Sequence, residues 1–153
     1  MIRDINLNFD TALAIAVTAT STNVIDLGAK RDLGPTEPLA ISAIVTTGFA
    51  GGISLAVAVQ GSPDDATWTT LLTGEAVPVA SLVEGAQIAN YDVPHADPVG
   101  LAPYRYLRLQ YIVVGTMTGG ALTSDLVSTK SSVTNYPPGF AYTAPAVQTF
   151  VTS

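Results

Sequence analysis

The chain contains no cysteine, which excludes disulfides and zinc–thiolate sites. Its single histidine, His95, leaves a transition metal short of its preferred ligands, and no Gly-x-Ser-x-Gly elbow offers that histidine a serine nucleophile. Charged side chains are 12% of the sequence, about half the usual share for a soluble domain. Basic residues are scarcer still: six against twelve acids, net −6, with Lys30-Arg31 as the longest basic run. A phosphate backbone is held by clustered Lys and Arg, so nucleic acid is not an expected partner. No apolar run approaches the roughly 18–20 residues of a bilayer span, so no membrane is expected either. Met1–Asn6 lacks the apolar stretch of a signal peptide, and the expectation is synthesis in the cytoplasm. These absences leave no expected enzyme activity and no cofactor.

What is present is hydrophobic. At 48% apolar residues, 153 positions suffice for one domain with a real core, and a surface so short of charge is expected to be covered by other subunits. The apolar pattern has a period of two. Ile53, Leu55, Val57 and Val59 alternate with small residues, and Leu39, Ile41, Ala43 and Val45 do the same before the Gly48–Gly52 stretch. This predicts a β-hairpin. Arg105, Leu107, Leu109 and Tyr111 alternate with Tyr104, Tyr106, Arg108 and Gln110, and after Gly115–Gly120 the segment 121–128 is predicted to return as the partner strand. Shorter strands are predicted at 5–9, 14–18, 23–27, 67–72, 77–81 and 87–93, with a short helical piece only around 79–84. Many short strands with turn-rich separators predict an all-β, jelly-roll-like β-sandwich over 1–128, followed by an extended apolar C-terminal arm over 129–153.

Few residues carry chemistry. Asp64 and Asp65 are adjacent and project differently, so they read as hairpin-turn residues rather than paired carboxylates or Ca²⁺ ligands. Trp68 could stack on a sugar, but its period-two relation to Thr70 and Leu72 places it in the core. Arg105 and Arg108 fall on opposite faces of their strand by parity and cannot form one clamp. Each is either a bridge to an acid on a neighbouring subunit or a rim arginine. Residues 131–153 have no charge yet carry Tyr136, Phe140, Tyr142 and Phe150. Ordering such a segment costs more than its own aromatics return, so it is expected to lie on a neighbour, with those four aromatics as interface candidates beside Arg105 and Arg108.

Several strings then become recognisable in order: Ser21–Gly28, the turn Gly61–Trp68, Pro78–Gly85, Tyr106–Tyr111 and Met117–Ala121. Over about residues 1–128 they resemble the capsid cement, or decoration, proteins of tailed phages, of the type described in a Bordetella phage. The resemblance implies a small jelly-roll-type protein on the outer surface of the capsid that locks neighbouring major capsid subunits together, without enzyme activity. It also implies a homo-oligomer, with a dimer favoured over a trimer. The alternatives are another virion component, such as a head-fibre base or tail protein, and a carbohydrate-binding β-sandwich.

Overall fold

The structure is a computed structural model that describes residues 5–29, 39–93 and 104–128. The strands are β1 (Asn8–Ala14), β2 (Ala19–Thr20), β3 (Ile25–Asp26), β4 (Ala40–Gly51), β5 (Ser54–Ser62), β6 (Thr69–Thr73), β7 (Val77–Pro78), β8 (Gln87–Asp92), β9 (Tyr106–Val114) and β10 (Met117–Val127). Short 3₁₀ turns occupy Ile5–Leu7 and Val79–Ser81, the second where the helical piece is expected. A four-stranded sheet runs β1-β10-β4-β8. In the other, six-stranded sheet, β9 and β5 form the centre, β2 and β3 flank β9, and β6 and β7 flank β5. Every pairing is antiparallel. The predicted all-β sandwich is therefore the observed architecture; the proposed arm and its four aromatics, and His95, lie outside the described residues.

Neither predicted hairpin forms. β4 pairs with β10 and β8, whereas β5 pairs with β9, β6 and β7, so each expected partner lies in the opposite sheet. Most strands lie where the alternation puts them, but those predicted at 5–9 and 14–18 are displaced: 5–7 is a 3₁₀ turn, β1 covers Asn8–Ala14, and 15–18 is a connection in which Ile15 alone is buried. Segments 40–62 and 106–127 pair as one long antiparallel ribbon, from Ala40↔Val127 through Met117↔Gly51 and Ser54↔Val114 to Ser62↔Tyr106. Midway the ribbon bends. Gly51 (φ 71°), Gly52 (φ 64°) and Gly115 (φ 84°) take left-handed conformations there, and a Cβ on Gly115 would lie 3.0 Å from the Gly52 Cα. A flat hairpin would leave its apolar face needing a second layer. A folded ribbon supplies that layer from its own other half, in the jelly-roll manner.

The core fills the space between the two halves. Ile41, Val45 and Leu122 from one sheet meet Leu55, Val59 and Leu109 from the other, all buried. Burying each such side chain contributes about 1.5–3 kcal/mol. The small residues at the alternate positions of β5 are covered as well: Ala56 and Ala58 are buried, opposite Ile112 and Gln110 on the same face.

Two tyrosines cross the sandwich in opposite directions. From β9 the Tyr111 hydroxyl donates to Asp10 Oδ2 of β1 (2.5 Å) and lies 2.6 Å from Ser124 Oγ of β10. From β8 the Tyr91 hydroxyl donates to the Val57 carbonyl of β5 at 2.5 Å. Burial pushes both phenols well above their ordinary pKa, with the Asp10 contact adding to the effect on Tyr111, so both remain protonated donors.

Candidate interaction surface

The outer face of the six-stranded sheet carries a polar cluster built by register. Gln60 of β5 stands opposite Arg108 of β9 and Thr70 of β6, and Gln110 lies two pairs further along β9 on the same face. Gln60 is only 8% exposed, and its amide is fully committed. Its Nε2 donates to Gln110 Oε1 (3.1 Å) and Thr70 Oγ1 (3.3 Å), and its Oε1 accepts from Arg108 Nε (2.7 Å). The Arg108 guanidinium also lies over the Trp68 ring, 4.1 Å from its centroid, a cation–π geometry. Trp68 is thus half-buried on the outer face, not in the core. The parity argument failed because β6 has a bulge: Leu72 opposes Val59 and Thr70 opposes Gln60, so the face changes between them.

Arg105 is held differently. Its Nε donates to Asp26 Oδ1 (2.7 Å) and its Nη2 to Asp26 Oδ2 (2.6 Å), a two-pronged pair with side chains 39% and 43% exposed. Asp26 opposes Tyr106 in register, and the Arg105 guanidinium lies 5.0 Å from the Tyr106 ring centroid. Both arginines therefore reach outer-face residues, contrary to the parity reading. Alternation does not extend back past the start of β9, since Tyr104 is buried. They still form no common clamp, because separate partners fix them. The acid that Arg105 holds belongs to the same chain.

The β5–β6 connection behaves as the turn it was read to be. Asp64 Oδ1 accepts from the backbone N–H of Ala66 (3.0 Å) and Thr67 (2.8 Å) and from Ser62 Oγ (3.0 Å). Those bonds lower its carboxyl from 3.8 to about 2. The Arg105 bond, then the Gly28 N–H, lowers Asp26 from 3.8 to about 2. A depressed folded pKa stabilises above the unfolded value, and this contribution is lost as pH falls from about 4 to 2. Replacing both by Asn should flatten the fall in melting temperature across that window. An unchanged slope would show that neither carboxyl is coupled to folding. Among the described residues, no three His, Cys, Asp or Glu side chains gather to hold a metal ion.

The bend of the ribbon forms a second, apolar surface. Ile53 (64% exposed) and Val114 (47%) sit side by side, joined by the bond from Ile53 N–H to the Val114 carbonyl at 2.8 Å. Val17 (57%) is held at the same corner, since Met117 N–H donates to the Ala16 carbonyl and Val113 N–H to Thr18 Oγ1. A shallow groove of 180 Å³ between Ala14–Ala16 and Met117–Gly120 continues it. The sequence hid this surface because Ile53 opens an alternating run and so reads as core.

The family model Bbp16 matches residues 9–126, from within β1 to near the end of β10, so the match spans both sheets. The chain belongs to the Bbp16 family. The family's name suggests a Bordetella phage protein, in keeping with a structural, virion-associated role. A comparison with curated proteins finds no match. The Bbp16 span includes Gln60, Trp68, Arg105, Arg108 and the apolar corner, whereas Tyr136, Phe140, Tyr142 and Phe150 follow it. Among its described residues, no helix is long and apolar enough to cross a membrane.

Proposed function

We propose that this protein is a capsid cement protein that binds the outer surface of a phage head and locks neighbouring major capsid subunits together. The observation that carries the reading is the Bbp16 match across both sheets, in agreement with the ordered strings that resemble phage cement proteins. The physical character of the domain supports it. A cement protein works by binding energy repeated over many copies, which needs a rigid body and surfaces that tolerate burial. The sandwich is crossed by two tyrosine bonds, its corner exposes Ile53, Val17 and Val114, and the sequence is poor in charge. Such a body self-associates readily, and a homodimer is favoured.

The test is the copy number in purified particles, with images of shells carrying and lacking the protein. Cement predicts copies on the scale of the major capsid protein and added density outside the subunit seams. A handful of copies at one vertex or in the tail would favour the second virion reading and overturn this one.

A further inference from the structure

We propose that Arg108, mounted on Trp68 and Gln60, is an anchoring site for a carboxylate side chain of a partner protein. The contrast between the two described arginines motivates it. Arg105 is satisfied by Asp26 through two charge-assisted bonds. Arg108 has comparable means to bind a carboxylate but holds none: its hydrogen bond among the described residues is Nε to the neutral Gln60 amide, and neither Nη has an acceptor there. This occurs in a chain with twice as many acids as bases, of which Asp65, Glu75 and Glu84 are exposed.

The mounting is more elaborate than a rim arginine needs. Gln60 sits 8% exposed in a central strand, a costly place for an amide, and every bond it makes either holds Arg108 or fixes its own orientation through Thr70 and Gln110. Trp68 covers one face of the guanidinium. With Nε and one face fixed, the remaining N–H edge is held in place before a ligand arrives, so little side-chain entropy is lost on binding. A planar fork with free parallel donors matches a carboxylate in two-pronged geometry, and the half-buried site strengthens the pair relative to open water. The indole is already stacked by Arg108 on one face, which disfavours it as a sugar platform. That the partner is a protein of the shell rests on the proposed virion role; the carboxylate chemistry does not.

The test is a titration of the isolated full-length protein at pH 7 with N-acetyl-glutamate methylamide, with the glutamine analogue as the neutral control and galacturonate as the sugar acid. Trp68 is the one tryptophan, so its indole N–H resonance reports on the site without assignment. The glutamate probe should give a saturable shift that the glutamine probe does not. Arg108→Gln should weaken binding about tenfold or more, the loss of one charge-assisted hydrogen bond pair. Should that variant fail to fold, Arg108→Lys keeps the charge but not the donor to Gln60, and the same weakening is expected. An equal response to glutamine, or unchanged affinity in Arg108→Lys, overturns the site. Galacturonate binding tenfold tighter than the glutamate probe overturns the protein partner in favour of an acidic glycan. The titration needs no virus particle. If it fails while particles carry many copies, the anchor alone falls; if it succeeds while particles carry none, the cement reading falls.

Discussion

Gly120→Ala is expected to destabilise the fold by about 3–5 kcal/mol, the larger of two effects that the sandwich predicts for single substitutions. Gly120 lies in β10 at φ 127°, a region essentially closed to side-chain-bearing residues, and that strain alone costs about 1–3 kcal/mol. A Cβ there would also stand 2.2 Å from Phe49 Cδ1 and 2.8 Å from the Phe49 Cα. The second contact is with backbone, so rotating the ring does not relieve it. Either β4 moves away from β10 or Phe49 leaves the core, at a further cost of about 1–3 kcal/mol. The neighbouring Gly119 is the control, because a Cβ there meets nothing within 4 Å and its φ is ordinary. Urea unfolding of Gly119→Ala and Gly120→Ala side by side should separate them clearly. Equal midpoints would mean that the register at this bend is misplaced.

Removing Asp10 should cost about 3 kcal/mol. The carboxyl is 2% exposed and accepts from the Tyr111 hydroxyl (2.5 Å), the Thr22 N–H (2.8 Å) and the Ser124 hydroxyl (3.5 Å). Asp10→Ala leaves these donors short in a sealed interior, and each buried unsatisfied group costs about 1–3 kcal/mol. Tyr111→Phe keeps the ring but loses the bond that joins the two sheets, and about 2 kcal/mol is expected. The double mutant should cost less than the sum of the two, because both changes break the same contact. Strict additivity in equilibrium unfolding would show that the Tyr111 bond to Asp10 does not stabilise the sandwich. Although tyrosine, aspartate and serine together have the composition of a proton relay, Tyr111 and Ser124 are 0% exposed, and no substrate can reach them without opening the core.

The positions of the long strands were legible in the sequence, most clearly in β9, where Leu107, Leu109 and Tyr111 are buried as read, whereas in β4, β5 and β10 burial runs through consecutive residues. Partnership was not legible. Glycines with positive φ serve a hairpin and a corner equally well, so Gly51-Gly52 and Gly115 marked where the ribbon turns but not whether it turns within a sheet or between sheets. Parity failed where strands bulge or end, which misplaced Trp68 and the guanidinium of Arg105. The Gln60–Arg108 contact joins residues 48 positions apart, and only the β5–β9 register brings them together. A long polar side chain ending the run Ile53–Gln60 was the one signal available, and it pointed to a strand end rather than to a support for a cation.

The folded ribbon has a kinetic meaning. Its halves are the central pairs of both sheets, so the centre of one sheet forms as the continuation of the other's. The pairing closest in sequence, Ser62 with Tyr106, already closes a long loop, and zipping must then proceed to the bend and around it before Ala40 meets Val127. Such non-local topologies fold in milliseconds to seconds, well behind helical domains of similar size. Until the bend is passed, the half-formed ribbon shows an apolar face to solvent, so the nascent chain is most prone to aggregation before β10 has been made.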